Sequence, residues 1–329
     1  MHKEPISVNC ERCGDAFEPY GAARFCKPCR PAARREATGE RDGYNEPKPS
    51  KRDEQMERLY RYYEARPSIE INDRPDGTRL LVMSDTQIPF VDQPFLDAVM
   101  RFSRDWKPHD IIYAGDILDC YDQSDFDKRP NRMFSLPDEI DQATGIMARM
   151  KREAMPDTQL WWVDGNHEAR FQRQLWKRSP ELAFAVKDLP ELLGLEQNAA
   201  GYVPYGKHVD YLGFTITHGN LVRKHSAYTA KAHFDEYKSS GMNGHTHRAG
   251  LFCHTDMHGR SRSWFEIGCV CRRDLEYVRG VANWQHAFLI GTVFRNALHP
   301  QLIQVIETDE GRGFFANGHY YGINDGGTP

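Results

Sequence analysis

The chain has 329 residues, 40% hydrophobic and 12% aromatic, enough for one large domain with a small appendage or for two ordinary domains. A formal net charge of −4 excludes a globally basic polyanion binder, so any nucleic-acid contact has to come from a local patch. No apolar run approaches the roughly 18 residues of a membrane span, and Met1 to Cys10 lacks the apolar stretch of a secretory signal, so a cytoplasmic location without membrane attachment is expected.

In chain order, the first feature is Cys10-Glu-Arg-Cys13 and Cys26-Lys-Pro-Cys29, two pairs separated by twelve residues. Four of the eight cysteines in such pairs, in a chain without export signals, point to metal rather than disulfides. Four thiolates closing tetrahedrally form a structural zinc site with no open position. So short a segment cannot fold on apolar burial alone, and the metal would supply the missing stability. Residues 1–35 are therefore expected to form a small zinc module, similar to a zinc ribbon or knuckle. Residues 36–77 read as a charged linker interrupted by Pro47, Pro49, Pro67 and Pro75. Within it, Met56, Leu59, Tyr60 and Tyr63 fall at i, i+3, i+4 and i+7 and predict a short helix.

From Arg79 the pattern changes. Leu80–Met83 is an apolar run ending in Ser84-Asp85, Ile111–Ala114 ends in Gly115-Asp116, and Leu160–Val163 ends in Asp164-Gly165-Asn166-His167. Helix-length segments, Gln93–Trp106 and Pro137–Ala154, lie between them. Apolar strands alternating with helices predict a parallel sheet with crossover connections. Phe214–Thr217 then leads into His218-Gly219-Asn220, and Ser239–Asn243 into Gly244-His245-Thr246-His247. Further strands are expected near Ser263–Gly268, Ala287–Phe294 and Leu302–Glu307.

Every one of the first five strands delivers polar residues at its C-terminal end, where open α/β sheets place their sites. Together these are Asp85, Gln87, Asp116, Asp119, Asn166, His167, His218, His245 and His247. Carboxylates, imidazoles and an amide oxygen form a mixed nitrogen and oxygen set suited to Mn, Fe, Ni, Zn or Mg. Two ions about 3.5–4 Å apart need a bridging carboxylate and several terminal ligands, which this set contains. Water held between them would lose a proton near neutral pH and attack phosphorus in line with the leaving group, and a nearby imidazole could protonate the departing oxygen.

These residues resemble the calcineurin-like metallophosphoesterase superfamily, whose motifs run D-x-H, G-D-x-x-D, G-N-H-D/E, H and G-H-x-H. Here they stand as Asp85-Thr-Gln87, Gly115-Asp116-Ile-Leu-Asp119, Gly165-Asn166-His167-Glu168, His218 and Gly244-His245-Thr-His247, over about residues 79 to 325. The resemblance implies a four-layer α/β sandwich of two mixed sheets flanked by helices, spanning residues 78–329. It implies that Asp85 and His247 hold one ion, that Asp116 bridges, and that Asn166, His218 and His245 hold the second. It makes His167 the acid or leaving-group stabiliser, with Asp119 and Glu168 orienting imidazoles. The departure is Gln87 in place of the family's histidine. Its carbonyl is a harder, weaker ligand that favours Mn or Mg, or it does not ligate and the site works with one tightly held ion. Ser84–Phe90 also resembles a subgroup of these enzymes common in bacteriophage genomes, which would place the protein in the host cytoplasm.

The function expected is hydrolysis of a phosphodiester or phosphomonoester, with nucleic acid favoured as substrate because zinc modules often touch it. A nucleotide or phosphoprotein phosphatase is the alternative, and a non-catalytic metal-stabilised scaffold is the alternative of another class. Arg170 and Arg173, and His225 with its neighbours Arg223 and Lys224, are candidate substrate residues, the alternative for the two arginines being a solvated basic face; Lys128–Arg132 is the best local polyanion contact. Cys120, Cys253, Cys269 and Cys271 read as core residues.

Overall fold

The computed structural model describes residues 7–17, 24–29, 67–123, 134–180, 186–275, 278 and 280–324. The predicted linker helix at Met56–Tyr63 and the basic cluster Lys128–Arg132 lie outside the described residues. The chain divides into two compact units, Met1–Glu54 and Gln55–Pro329. In the first, β1 (Val8–Asn9) pairs antiparallel with β2 (Ala16–Phe17).

The second unit is built on two six-stranded mixed sheets. The elements run β3 (Ile69–Ile71), β4 (Arg79–Met83), α1 (Gln93–Trp106), β5 (Asp110–Ala114), α2 (Leu136–Glu153), β6 (Gln159–Val163) and α3 (Glu168–Arg178). Short helices α4 (Leu189–Leu192) and α5 (Leu195–Asn198) lead to β7 (Gly201–Val203), β8 (Val209–Tyr211), β9 (Phe214–Thr217), α6 (Tyr228–Tyr237) and β10 (Ser240–Asn243). Then come β11 (Ala249–Thr255), β12 (Ser261–Ile267), β13 (Ala287–Phe294), β14 (Ala297–Gln304), β15 (Ile306–Thr308), β16 (Gly311–Ala316) and β17 (His319–Ile323). The first sheet has the order β14-β13-β4-β5-β6-β7, parallel from β4 to β7 and antiparallel at β13 and β14. The second has the order β11-β12-β10-β9-β8-β3, with β9, β10 and β12 parallel.

Burial on both faces explains why β4 and β5 read as unbroken apolar runs. Leu80, Val82, Ile112 and Ala114 point inward to meet Tyr211, Ile216, Met242 and Ile267 of the second sheet. Their neighbours Leu81, Met83, Ile111 and Tyr113 point the other way, onto Phe95, Val99 and Phe102 of α1 and Met147 and Met150 of α2. On the far side of the second sheet, Ala230 and Phe234 of α6 pack on Trp264. Helix, sheet, sheet and helix stack as four layers, the architecture expected from the sequence.

Two expectations are corrected. The stretch assigned to the linker contributes β3, which pairs parallel with β8 and extends the second sheet. The strand expected at Leu302–Glu307 is split. Half of it, residues 302–304, belongs to β14, which folds back on β13 through Arg295 and Asn296, at φ 52° and 56°. The rest begins a three-stranded antiparallel sheet, β15-β16-β17. That sheet is anchored by Phe314, which is fully buried, with ring centroids 6.3 Å from Phe95 and Phe102 and 5.0 Å from Phe288. Asp92, the N-cap of α1, accepts from Phe95 N at 3.0 Å and holds the Arg312 guanidinium at 2.9 and 3.0 Å. Replacing Phe314 by alanine should cost about 3–5 kcal/mol. Urea denaturation followed by tryptophan fluorescence measures it, and a loss under about 1 kcal/mol would mean that the C-terminal sheet does not share the main core.

Candidate metal centre

The parallel strands β4, β5 and β6 end at one edge, and their following loops are stitched to one another. Asp85 N donates to Gly115 O at 3.0 Å, Gln87 N to Asp116 O at 2.9 Å and Ile88 N to Ile117 O at 2.8 Å. The loops after β9 and β10 reach the same edge, so that His245 N donates to Asp85 Oδ2 at 3.0 Å. Asp85, Gln87, Asp116, Cys120, His245 and His247 all have φ between 46° and 69°, a left-handed backbone that costs these side chains energy. Gly165 is required by close approach. A Cβ there would lie 2.0 Å from Asp116 Oδ1 and 2.4 Å from Asp116 N.

Each aspartate has one oxygen fixed and the other aimed at ring nitrogens. Asp85 Oδ2 accepts from Ser84 Oγ at 2.6 Å as well as from His245 N. Its Oδ1 is buried, accepts no hydrogen bond, and faces His247 Nε2 at 3.1 Å. Asp116 Oδ1 accepts from His167 N at 2.9 Å, while Oδ2 faces His218 Nε2 at 3.2 Å. His218 Nδ1 lies 3.0 Å from Ala114 O, a bond that requires its proton and leaves Nε2 to face the site. Asn166 Oδ1 lies 3.2 Å from that Nε2. Ligand atoms of Asp116, His218 and His245 lie within 4.8 Å of one another. Gln87 is buried, with its amide nitrogen 3.2 Å from His247 Nε2.

The electrostatics call for positive charge between these atoms. Burial alone would lower the His218 imidazolium, but the Asp116 carboxylate against Nε2 outweighs it and raises the pKa to about 9. Burial, then the neighbouring His218 charge, lowers His245 to about 4, so its ring is neutral near pH 7. Burial opposes ionisation of Asp116, yet His167 and His218 hold its carboxyl far below the usual range. Carboxylate oxygens, an amide oxygen and imidazole nitrogens converging without enough protons between them fit divalent ions.

Beside this edge, His167 Nδ1 lies 3.2 Å from Asp119 Oδ1 and 3.0 Å from Asp119 O. Arg170 donates to His167 Nε2 at 2.8 Å and to Asp119 O at 3.2 Å. His225 is not brought into this group. It is exposed on the loop before α6, with its ring 5.1 Å from Tyr228. Glu168 corrects the expectation that it orients an imidazole: its carboxylate instead accepts backbone N–H bonds from Asp116, Ile117, Leu118 and Gly165 at 2.7–3.0 Å.

Sequence reasoning missed the second partner of His247. Cys271 Sγ lies 3.7 Å from His247 Nδ1, and Trp284 packs on the same ring at 4.1 Å. Nothing in the spacing of Cys269-Val-Cys271 signals that contact, which depends on the turn after β12. Cys120, Cys269 and Cys271 are buried as expected, whereas Cys253 is exposed on β11.

In the N-terminal unit, ligand atoms of Cys10, Cys13, Cys26 and Cys29 lie within 4.8 Å of one another. Cys26 N approaches Cys10 Sγ at 3.4 Å. Burial opposes the Cys10 thiolate, but N–H groups of Cys13, Cys26 and Arg12 lower its pKa to about 6. Four converging thiols suit a tetrahedral divalent ion.

With this geometry in place, comparison with known proteins gives the family. The chain is 30% identical to the Gene 54 protein of Mycobacterium phage D29 over 259 residues, 74% of this chain and 99% of that protein. It is 29% identical to the Gene 54 protein of Mycobacterium phage L5 over 247 residues, 69% of this chain and 94% of that protein. The chain belongs to the family of these phage Gene 54 proteins. No family model matches it. Among solved structures it is similar to Vps29 of Chaetomium thermophilum, with a TM-score of 0.41 and 11% identity over 76% of this chain and 100% of that one. A dimetal phosphatase from Danio rerio gives a TM-score of 0.37 and 12% identity over 76% and 100%. Nuclease MPE of Pseudomonas putida gives 0.33 and 14% over 68% and 87%.

Two outcomes are expected. Gly165→Ala should displace Asp116 and empty its ion set, read as metal content after dialysis; full occupancy would show that the close approach is not limiting. In the metal-free protein, His218 carries a raised pKa, so its pairing with Asp116 stabilises fully below about pH 6.5 and is lost as pH rises through about 9. An ion entering the Asp116–His218–His245 set must displace that proton, while His245 has none to lose above about 4. Its apparent affinity should therefore rise about tenfold per pH unit between 6.5 and 9. Titration calorimetry in buffers of different ionisation enthalpy should find about one proton released per ion there. A pH-independent affinity would contradict this reading of His218.

Proposed function

We propose that the protein is a metal-dependent phosphoesterase that hydrolyses a phosphodiester or phosphomonoester, with nucleic acid as the favoured substrate. The observation that carries the reading is the pair of aspartates, each with one oxygen fixed and the other turned toward imidazoles at one edge. Asp85, Gln87 and His247 would hold one divalent ion, and Asn166, His218 and His245 the other, with Asp116 shared between them. Such ions, of Mn, Fe, Ni, Zn or Mg, would activate water and offset phosphate charge.

The chain's own groups do the rest. His167 lies beside Asp116 Oδ2 at 3.5 Å, where its Nε2 could carry a proton to a leaving oxygen once the Arg170 donor turns from that nitrogen to a bound phosphate. Asp119 orients that ring, and the Arg170 cation beside it offers a donor to a bound phosphate oxygen. A half turn of the Gln87 amide would present its oxygen to the same point as His247 Nε2, so the departure from histidine keeps a ligand available. His225 stays a candidate only for a substrate long enough to reach its loop. The four-cysteine module would take one structural zinc, as a unit of its own before the phosphoesterase domain.

A second reading rests on Gln87. As the amide stands, it donates to His247, which would suit a non-catalytic scaffold that turns nothing over. The test is hydrolysis of bis-p-nitrophenyl phosphate and p-nitrophenyl phosphate by metal-stripped protein given Mn, Mg, Ni or Zn. His245→Ala should lower turnover by more than about 100-fold, since even partners behind the ligands cost 10–100-fold, and should leave the circular dichroism spectrum unchanged. Diester turnover that needs metal and His245 supports the nucleic-acid reading, and monoester turnover alone moves it to a phosphatase. Silence on both with only the structural zinc bound would establish the scaffold.

A further inference from the structure

Cys269 and Cys271 follow β12 on a turn that Gly268 makes possible. That glycine has φ 76°, and a Cβ there would lie 2.6 Å from Ala287 Cβ and 2.7 Å from Gln285 O. The turn leads into a short extended stretch, in which residues two apart share a face. Val270 accordingly points into the main core, while Cys269 and Cys271 lie together on the other side with Phe90 and Leu275. Backbone hydrogen bonds tie this stretch to the candidate centre on two sides. Cys271 N donates to Asp85 O at 2.9 Å, Cys269 N to Gln285 O at 3.1 Å, and Gln285 N to His247 O at 2.9 Å.

That frame gathers a buried triangle of ligand atoms. The sulfurs of Cys269 and Cys271 and a ring nitrogen of His247 lie within 4.8 Å of one another. It is Nδ1 of the ring that faces Cys271 Sγ, at 3.7 Å. Zinc stands about 2.3 Å from a thiolate sulfur and about 2.0 Å from an imidazole nitrogen, so the ligand atoms of one ion are spaced up to about 4.6 Å apart. In the free protein the sulfurs are held by long, weak contacts. Besides Nδ1 for Cys271, these are the backbone oxygens of Gln285 and Cys271 for Cys269, at 3.7 and 3.9 Å. Packing accounts for buried thiols, since cysteine behaves as a small apolar residue. It does not account for two thiols gathered with an imidazole nitrogen in one triangle.

We propose that Cys269, Cys271 and Nδ1 of His247 bind one thiophilic divalent ion of the zinc and cadmium class, at a site separate from the candidate centre but sharing its His247. Two thiolates and an imidazole select such an ion over Mg or Mn, which prefer oxygen ligands. Charge closes within the site, because each thiol releases its proton and the two thiolates balance the ion. A neutral imidazole offers one lone pair. With that pair on an ion at Nδ1, Nε2 keeps a proton and donates it to Asp85 Oδ1, 3.1 Å away. His247 then serves this site or an ion beside Asp85, but not both. The site does not depend on the phosphoesterase reading.

The test loads the full chain with cadmium and records cadmium NMR, in which each added thiolate ligand moves the resonance downfield. Wild-type protein should show two sulfur-bound signals, one from the four-cysteine module and a second, from two thiolates and an imidazole, upfield of it. Cys271→Ser conserves volume and should weaken the second cadmium at least about 100-fold, the upper end of what losing a partner behind a ligand costs, while the first signal stays. Cys269→Ser should act in the same direction. Cys253→Ala, at an exposed position of β11, should leave both signals in place. With isotopically labelled histidine, cadmium–nitrogen coupling should appear at Nδ1 of His247; coupling at Nε2 would put the ion beside Asp85 and overturn the site. A single sulfur-bound signal in wild-type protein, or a second one that survives both serine variants, would overturn it as well, whether or not the protein hydrolyses phosphate esters.

Discussion

The Glu168 carboxylate accepts four backbone N–H bonds, three from the turn after β5 and one from Gly165 after β6. Two strand ends that would otherwise diverge are thereby held in one frame. Burial and the charge of Asp116 raise its pKa to about 7, while the N–H groups of Leu118 and Gly165 pull it back toward the anion. Its place in the first turn of α3 adds the partial positive charge of a helix start. Because that frame is rigid, the His167 N–H meets Asp116 Oδ1 and turns Oδ2 toward His218.

The cost of that arrangement is concentrated where the side chains converge. Asp85, Gln87, Asp116, His245 and His247 hold left-handed backbone conformations that only surrounding structure can enforce. The enforcement comes from the sheets. β4 and β5 are buried on both faces, and the loop-to-loop hydrogen bonds after them extend the parallel ladder past the last strand residue. Gly165 and Gly115 let backbones approach Asp116 and His218 more closely than any Cβ allows. A centre built this way is preorganised in the free protein, and the charges it brings together are what a cation would neutralise.

Periodicity and motif spacing were enough to place β4, β5, β6, β9 and β10, the ends of α1, and the convergence of Asp85, Asp116, Asn166, His218, His245 and His247 on one edge. Each of these depends on local pattern: a short apolar run, then a polar residue at its end. What remained hidden depends on pairing between distant segments. β3 is three residues long and lies in polar, proline-broken sequence, and its strand character comes from β8. The β13–β14 turn uses Arg295 and Asn296 without the glycine that usually announces such a turn. The Cys271 contact to His247 and the role of Glu168 toward backbone rather than imidazole both arise from tertiary geometry that no spacing encodes.

Charge balance at the proposed centre explains why Gln87 need not end the chemistry. Asp85 and Asp116 bring two negative charges, and the histidines and Asn166 would ligate as neutral groups. Two divalent ions would then leave an excess of positive charge, which is what a phosphate ester must meet to bind and to be attacked. A histidine in place of Gln87 would be equally neutral, so the exchange alters ligand softness at one ion without altering that excess. Behind His247, the thiol of Cys271 and the face of Trp284 surround the ring in place of a carboxylate partner. A neutral surround leaves the imidazole a weaker donor than a carboxylate-backed one. With a hard amide and an unassisted imidazole on the same side, the proposed Asp85 ion would be the more exchangeable of the two, and the Asp116–His218–His245 set would hold its ion more firmly.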